Sequence, residues 1–345
     1  MNSSVTNTSF TAASSAPSNI AIVKYWGKQA IQEPVNPSIS FTLSQALTNT
    51  NIKYTAGTGA LTIEFLFEGQ SKSSFVPKLQ TLVNRLHEYL PFLKTGHLRI
   101  ESANTFPHSS GIASSASSMA SIAKALYDIQ MQIDANAIHQ AKEELTSIMA
   151  RLGSGSACRS TQAGWALWGE TPLNKQASNQ YGISIQADIH STFKDLQDSI
   201  LVIRKGAKSV SSTVGHQLME KHPYREGRIQ QANKNTELLL KALKTGDFDA
   251  FATICEEEAL SLHGLMMSSS PAYTLMAPET LRAIKRIKKF REHHHIPLTF
   301  TLDAGPNIHL IYPSSQSKII KPFIQEHLKV LCENGEVIYD HISKD

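Results

Sequence analysis

Asn104-Thr-Phe-Pro-His-Ser-Ser-Gly-Ile-Ala-Ser-Ser-Ala-Ser-Ser-Met119 has the composition of an anion-binding turn between a strand and a helix. An alternating, strand-like run ends at Phe106 and Pro107, and a helical run begins near Ser114. Gly111 lets a ligand approach the backbone, and seryl hydroxyls beside unpaired N–H groups at a helix start attract anions. No Lys-Ser/Thr pair follows the glycine, so this is not a Walker loop. The stretch predicts a phosphate-binding loop, and a tightly packed Ser/Ala-rich helix is the alternative.

Length and composition narrow the class of protein. The chain has 345 residues, of which 41% are hydrophobic and 18% charged, which is typical of a folded protein large enough for two lobes. A net charge of +4 is too small to predict a nucleic-acid partner. Three widely separated cysteines, Cys158, Cys255 and Cys332, favour reduced thiols and a cytoplasmic location. No apolar run has membrane-spanning length, and the polar first ten residues predict a flexible lead-in rather than a signal peptide.

Strands and helices are mixed along the chain without regular βαβ alternation, which favours an α+β architecture. Periodicity predicts strands over 19–24, 39–43, 48–55, 61–67, 97–103, 199–204, 298–303 and 307–312. It predicts helices over 77–90, 114–130, 136–151, 227–243, 247–263 and 278–292. A polar stretch between about 175 and 198 predicts the boundary between two lobes, residues 1–190 and 191–345.

Two further segments carry groups suited to anions. The first is the predicted strand Asn19-Ile-Ala-Ile-Val-Lys24 with the Tyr-Trp-Gly-Lys28 that follows, which places two lysines and a tyrosine at the end of the strand. For this segment alone, a surface lysine pair beside a packed tryptophan is the simpler interpretation. Arg151-Leu-Gly-Ser-Gly-Ser-Ala-Cys-Arg159-Ser160 combines exposed backbone donors with a guanidinium fork, and apolar neighbours argue against a flexible linker. The second segment therefore predicts an anion site.

Three further segments carry acidic or histidine side chains. Asp303 ends an apolar strand before the tight turn Ala304-Gly-Pro306, where a catalytic carboxylate and an Asx-turn residue are equally good interpretations. The run His293–His295 predicts a solvated helix end rather than a metal site, because consecutive histidines cannot all face one ion. The run Glu256–Glu258 predicts an exposed helix face.

Taken in order, these segments resemble the diphosphomevalonate decarboxylase family of the GHMP kinase superfamily. The resemblance covers Asn19–Ser44, Phe106–Ala116, Gly153–Ser160, Val210–Thr213 and Thr301–Asn307, and so nearly the whole chain. The phosphate loop is common to the superfamily, whereas Lys-Tyr-Trp-Gly-Lys and Ser-Ala-Cys-Arg-Ser are specific to the decarboxylases. The resemblance implies a two-lobed GHMP kinase-like fold, with a ribosomal protein S5 domain 2-like N-terminal lobe, a ferredoxin-like C-terminal lobe and the active site in the cleft.

The same resemblance implies an activity and the residues that carry it. ATP with Mg²⁺ would drive decarboxylation of (R)-5-diphosphomevalonate to isopentenyl diphosphate in a homodimeric enzyme of isoprenoid biosynthesis. Asp303 and Lys24 would be catalytic. The implied substrate-binding residues are Tyr25, Lys28, Lys78, Ser154, Ser156, Arg159, Ser211, Ser212 and Thr213. The implied ATP-binding residues are Pro107, His108, Ser109, Ser110, Gly111, Ile112, Ser114 and Ser115, with Ser115 also on the metal ion.

Two positions depart from the family pattern. The loop reads Phe-Pro-His-Ser-Ser-Gly-Ile where the family commonly has Phe-Pro-Thr-Ala-Ala-Gly-Leu, and Lys78 stands where the family usually has an arginine. A decarboxylase of phosphomevalonate and a mevalonate-type kinase that stops at a phosphate ester are therefore the alternatives of similar fold. A nucleotide-binding regulator without catalysis is the alternative of a different class, but Asp303 and Lys24 are both present.

Overall fold

The computed structural model describes residues 8–107, 112, 114–206, 210 and 212–344, which form a two-lobed α+β fold as predicted. The strands are β1 Ser9–Val23, β2 Lys28–Gln29, β3 Glu33–Pro34, β4 Ser38–Ala60, β5 Thr62–Phe67, β6 Gln70–Ser71, β7 Thr95–Asn104, β8 Trp165–Trp168, β9 Gly182–Ser184, β10 Leu196–Leu201, β11 Thr299–Thr301, β12 Ile308–Pro313 and β13 Val337–His341. The α-helices are α1 Val76–Leu86, α2 Ser114–Ile133, α3 Lys142–Gly153, α4 Ser212–Leu218, α5 Arg225–Thr245, α6 Phe248–Met267, α7 Pro278–His294 and α8 Ser317–Phe323. Among the described helices, none has the length and apolar character to span a membrane.

The first lobe is a seven-stranded sheet covered by helices. Its strand order is β6-β5-β7-β4-β8-β9, and β1 pairs with β4 in antiparallel fashion. The helix α2 lies on β1 and β4 with the small-residue face that the sequence predicts, since Ala116, Ala120 and Ala123 are fully buried. The hydroxyls of Ser117 and Ser121, on the same helix, lie 2.7 Å from the hydroxyls of Thr48 and Thr50. Small side chains thus allow close approach, and the buried hydroxyls satisfy one another.

The second lobe is built on a four-stranded sheet in the order β11-β12-β10-β13. One face of this sheet packs against α7, α8 and the turns that follow, through a cluster that includes Phe300, Leu310, Ile287 and Phe323. The pairing of β11 with β12 places the turn at residues 302–307 at one end of the sheet. That turn carries Asp303, so the strand register fixes where this carboxylate points.

An apolar layer joins the two lobes. It includes Ile20, Leu43, Ile200 and Ile311, all fully buried. The chain end crosses back to the first lobe, where the Asp340 carboxylate accepts backbone N–H groups of residues 44–46 at 2.8–3.2 Å. The two lobes therefore share a buried apolar interface with hydrogen bonds at its edge. The division into residues 1–190 and 191–345 stays a prediction.

Several elements differ from the sequence-based predictions. The strands predicted at 39–43 and 48–55 are one strand, β4. The strand predicted from residue 19 begins at Ser9, within the lead-in predicted for the first ten residues, of which residues 1–7 lie outside the described part of the chain. The short strands β8 and β13 and the helix α4 were not predicted. The segment around Arg159 is a 3₁₀ helix, Gly155–Thr161, which was not predicted either.

Candidate active site

A cavity of about 390 Å³ lies where the two lobes meet. Its lining brings together ten of the residues predicted for the site, from segments spread over more than 200 positions: Lys24, Tyr25, Lys28, Lys78, Ser115, Ser154, Ser156, Arg159, Thr213 and Asp303. The remaining lining residues are Asn19, Ala21, Trp26, Gln32, Gly153, Gly155, His216, Leu262 and Ala304. Four of the side chains in this lining are formally cationic and one is a carboxylate, so the cavity suits a polyanionic ligand.

Lys24 and Asp303 form an ion pair at this cavity. Lys24 Nζ lies 3.0 Å from Asp303 Oδ1 and also donates to the backbone carbonyl of Ala21 at 2.6 Å. The lysine side chain is 3% exposed and the aspartate side chain 24% exposed. One end of the pair is therefore fixed in the protein, while the carboxylate remains open to a ligand in the cavity.

A buried ion pair behind the site holds the backbone of Lys24. Arg228 of α5 and Glu258 of α6 form two parallel hydrogen bonds of 2.7 and 2.6 Å, with side chains 1% and 0% exposed. Glu258 Oε2 accepts the Lys24 N–H at 2.8 Å, and Arg228 donates to the Lys24 carbonyl at 3.1 Å. This charge-assisted network fixes both sides of the Lys24 peptide.

The prediction of an exposed face at Glu256–Glu258 was wrong for two of its three residues. Glu258 is buried in the pair just described, and Glu256 is 7% exposed and paired with Arg291 and Lys288. Only Glu257 is exposed. The partners lie on other helices far along the chain, so the local sequence pattern carries no sign of them.

Hydrogen bonds from neighbouring segments hold the turn that carries Asp303. His263 Nε2 donates to the Asp303 carbonyl at 3.1 Å, and Thr280 Oγ1 donates to the Pro306 carbonyl at 2.7 Å. The Asn307 side-chain oxygen accepts the Arg204 N–H at 3.0 Å. The carboxylate therefore projects from a turn with little freedom, a requirement for precise positioning.

Arg159 is buried beside the cavity and is held by polar side chains of β1 and β4. Its guanidinium donates to Ser40 Oγ at 2.9 Å, to Asn19 Oδ1 at 3.2 Å and to Ser38 Oγ. It also lies over the Trp168 ring, 5.7 Å from the centroid. Burial lowers the pKa of Arg159 from its usual value, yet no carboxylate side chain accepts a hydrogen bond from this guanidinium among the described residues. A buried cation whose described hydrogen-bond acceptors are all neutral favours an anionic ligand.

Tyr25, Lys28 and Lys78 line the same cavity. The Tyr25 hydroxyl is buried and has no hydrogen-bond partner among the described residues, and its burial raises the pKa of the phenol. Burial lowers the pKa of Lys28, and the cations of Lys78 and Arg85 lower it further. The ammonium groups of Lys28 and Lys78 repel each other, and the Tyr25 hydroxyl beside them lacks a hydrogen-bond partner among the described residues. An anion bound there would relieve the repulsion and accept hydrogen bonds from these groups.

The predicted nucleotide-binding residues are only partly described. The helix α2 begins at Ser114, and the next residue, Ser115, lines the cavity. Ile112 packs in the apolar layer between the lobes. Pro107 is exposed, three residues after the end of β7, whereas His108–Gly111 lie outside the described residues.

Other predicted positions lie near the start of α4 or at the end of α7. Ser211 lies outside the described residues, Ser212 is the first residue of α4, and Thr213 reaches the cavity. His293, His294 and His295 are exposed at the end of α7, as predicted. Within the described part of the chain, no group of three or more His, Cys, Asp or Glu side chains could hold a metal ion.

His216 is a cavity residue that the sequence analysis missed. It lies on α4, only 7% exposed, with its ring 4.4 Å from the Tyr25 ring and 4.8 Å from the Trp26 ring between centroids. Nδ1 of His216 accepts the Gly27 N–H at 2.9 Å. Its position three residues after the Thr213 end of a predicted substrate-binding segment was the available signal.

Comparison with known proteins gives consistent matches along the chain. Residues 16–180 match the family described as diphosphomevalonate decarboxylase-like N-terminal domain, and residues 199–344 match the mevalonate 5-diphosphate decarboxylase C-terminal domain. The diphosphomevalonate decarboxylase of Gibberella zeae is 30% identical over 334 residues, which cover 90% of this chain and 83% of that protein.

Solved structures agree with these matches. A mevalonate diphosphate decarboxylase from Legionella pneumophila superposes with a TM-score of 0.82 at 30% identity, covering 95% of this chain and all of that chain. The structure of MDDEF in complex with MVAPP, AMPPCP and magnesium superposes with a TM-score of 0.83 at 27% identity, covering 97% of this chain and 98% of that chain.

Proposed function

This chain belongs to the diphosphomevalonate decarboxylase family, and from that premise we propose that it converts (R)-5-diphosphomevalonate and ATP into isopentenyl diphosphate, ADP, phosphate and CO₂. The observation that carries the proposal is the Lys24–Asp303 pair at a cavity lined with cations. A similar structure binds MVAPP, AMPPCP and magnesium, the kind of ligands that such a cavity suits. The reaction is a step of the mevalonate route of isoprenoid biosynthesis.

The chemistry explains why a carboxylate and a phosphoryl donor are needed. A β-hydroxy acid has no electron sink for a carbanion, so loss of CO₂ requires electrons to flow toward C3. Phosphorylation of the C3 hydroxyl turns it into a leaving group. Positive charge then builds at C3 as phosphate departs and the bond to the carboxylate breaks, and a nearby anion stabilises it.

Asp303 is the residue we assign to that role. Its carboxylate is 24% exposed and faces the cavity, where it orients or deprotonates the C3 hydroxyl and then stabilises charge at C3. Lys24 is fixed through its backbone by Arg228 and Glu258, and it holds the carboxylate in place while it contacts the transferring phosphoryl group. A rigidly positioned pair of this kind meets the geometric demand of in-line transfer.

The other lining residues bind the substrate. We assign the carboxylate and diphosphate to Ser154, Ser156 and Arg159, whose guanidinium has no ionic partner among the described residues. Tyr25, Lys28 and Lys78 supply an unsatisfied hydroxyl and two ammonium groups. Ser211, Ser212 and Thr213 complete the contacts to the diphosphate. Lys78 provides a point charge where an arginine would give a bidentate fork.

ATP and Mg²⁺ fit the start of α2. When bound, ATP supplies the phosphoryl group and Mg²⁺ neutralises the phosphate charge. The N-terminal end of α2 offers the positive end of a helix dipole, and Ser115 places a hydroxyl at the cavity. Mg²⁺ commonly takes few protein ligands beside phosphates, so a single hydroxyl from Ser115 is a sufficient protein contribution. Pro107 to Gly111, Ile112 and Ser114 complete the nucleotide-binding loop in this proposal.

Assembly and location are further parts of the proposal. We propose a homodimer by analogy with the family, which light scattering would test directly. A reducing compartment such as the cytoplasm suits the three cysteines, because Cys158, Cys255 and Cys332 are all buried and unpaired by disulfides.

The test is a substrate panel. Carboxyl-labelled mevalonate, its 5-phosphate and its 5-diphosphate are each incubated with ATP and Mg²⁺, and labelled CO₂ and ADP are measured together. The proposal predicts CO₂ release from the diphosphate only. ADP without CO₂ would make the protein a kinase, and CO₂ from the monophosphate would make it a phosphomevalonate decarboxylase. No ADP from any substrate would support a nucleotide-binding regulator.

A further inference from the structure

His216 occupies a buried position where α4 meets the segment that carries Tyr25 and Lys28. A Cβ atom on Gly215 would lie 2.5 Å from Trp26 side-chain atoms, so a glycine here lets α4 approach this closely. The imidazole then lies against the Tyr25 and Trp26 rings and forms part of the cavity wall. The hydrogen-bonding groups of His216 can therefore contact a ligand in the cavity.

The hydrogen bond from Gly27 determines which ring nitrogen carries the proton. Nδ1 of His216 accepts the Gly27 N–H at 2.9 Å, so Nδ1 uses its lone pair and cannot also be a donor. The proton of the neutral ring then resides on Nε2. Burial lowers the pKa of His216 to about 3, and the nearby Lys28 cation lowers it as well, so the ring is neutral at physiological pH.

With Nδ1 engaged by Gly27, the Nε2–H group is the hydrogen-bond donor that His216 can offer to a ligand. Among the residues that the structure describes, none forms a hydrogen bond with His216 Nε2, although the side chain is more than nine-tenths buried. The cavity lining also contains Lys28, whose charge acts on the His216 ring, and Thr213, which the proposed function assigns to the diphosphate. A neutral donor adds a hydrogen bond there without adding repulsion between cations.

We propose that His216 is a substrate-binding residue, whose Nε2–H donates to a phosphoryl oxygen at the diphosphate end of the substrate. This inference rests on the proposed function, because it takes the diphosphate as the group beside Lys28 and Thr213. Nδ1 acts at the same time as a positioning group, since its hydrogen bond to Gly27 joins α4 to the segment of Lys28. The residue thus favours ligands with a second phosphate.

Two substitutions separate the roles of the two nitrogens. In His216→Asn, the amide oxygen can still accept the Gly27 N–H, but no group reaches the position of Nε2. In His216→Gln, the longer amide can place a donor near that position. His222→Asn is the matched control, because His222 is also buried and accepts a backbone N–H on Nδ1, yet its Nε2 is bonded to Leu265 O and it lies outside the cavity lining.

The experiment is calorimetric titration, without ATP, of wild type and the three variants with 5-diphosphomevalonate, 5-phosphomevalonate and mevalonate. A lost hydrogen bond to a charged group predicts about ten- to a hundredfold weaker binding of the diphosphate by His216→Asn. We expect less than a twofold change for mevalonate, a smaller loss in His216→Gln, and wild-type affinities in the control. Nitrogen NMR of wild type should show an Nε2–H tautomer whose signal shifts when the diphosphate is added.

Unchanged affinity of His216→Asn for the diphosphate would overturn the inference. Equal weakening for all three ligands would also overturn it, because that pattern would indicate loss of loop position alone. These outcomes are independent of the proposed reaction. A wild-type protein that binds the diphosphate through His216 but releases no CO₂ would refute the proposed function and leave this inference standing.

Discussion

Replacing Asp303 by asparagine removes one negative charge from the cavity and keeps the shape of the side chain. The amide oxygen can still accept a hydrogen bond from Lys24 Nζ, which lies 3.0 Å from Asp303 Oδ1 and also donates to the Ala21 carbonyl. Because Lys24 keeps its hydrogen-bond partners, we expect the free energy of unfolding to fall by no more than about 2 kcal/mol. The substitution therefore tests chemistry rather than folding.

The expected loss of turnover follows from the charge that the carboxylate stabilises. Two unit charges 4 Å apart interact by about 4 kcal/mol at the effective dielectric constant of a partly exposed site. Losing that stabilisation in the transition state alone lowers kcat by about a thousandfold. Substrate affinity should be unchanged or tighter, because the cavity becomes more positive when its carboxylate is removed.

The assay combines steady-state CO₂ release with calorimetric binding of 5-diphosphomevalonate. Asp188→Asn is the matched control, since Asp188 is exposed and lies outside the cavity lining, so the protein loses the same charge elsewhere. We expect wild-type kinetics from the control. An Asp303→Asn variant with kcat within tenfold of wild type would refute the assignment of Asp303, and much weaker substrate binding would refute the electrostatic argument.

Three other substitutions test the surroundings of the site. Glu258→Gln should lower the free energy of unfolding by about 3 kcal/mol, because it leaves the buried Arg228 cation incompletely paired; urea denaturation showing less than about 1 kcal/mol would contradict this. Arg159→Lys should lower kcat/KM at least tenfold, since a lysine cannot replace the hydrogen bonds to Ser38, Ser40 and Asn19; unaltered kinetics would remove Arg159 from the site. His216 has a pKa of about 3 in the folded protein, whereas a histidine in the unfolded chain has a pKa of about 6.5. Protons therefore bind the unfolded chain preferentially as the pH falls from 6.5 toward 3, and the free energy of unfolding decreases by up to about 1.4 kcal/mol per pH unit. The difference in unfolding free energy between wild type and His216→Asn should therefore shrink by about 2 kcal/mol from pH 7 to pH 5, whereas parallel stability curves would contradict the linkage.

Local periodicity predicted most helices and several strands, but it did not predict the full length of the long strands β1 and β4. The strand β4 runs from residues 38–43, buried on both faces, into residues 48–55, where buried and exposed positions largely alternate. The sequence pattern changes at that point although the backbone continues, so the sequence indicated two strands. The polar start of β1 is a strand because it pairs with β4. The sequence of residues 9–18 alone does not indicate that pairing.

The candidate site shows the same limit at the level of side chains. The glycine-punctuated segment around Arg159 indicated an anion site by itself, whereas Lys24 and Asp303 were assigned to the site by the family resemblance. The supporting residues were missed because their roles depend on distant partners. In the sequence, Glu258 is one of three consecutive acidic residues, and only the fold shows that Arg228 pairs with it. In the same way, only the fold shows that His216 accepts a hydrogen bond from Gly27.

The central claim is that this protein couples phosphoryl transfer to decarboxylation. Its most direct test is a time course with ATP, Mg²⁺ and carboxyl-labelled 5-diphosphomevalonate, in which CO₂, ADP and inorganic phosphate are measured from the same samples. We expect all three to appear at the same rate and in a ratio of one to one to one. ADP accumulating while CO₂ stays at background would contradict it, because the chain would then transfer phosphate without breaking the bond to the carboxylate.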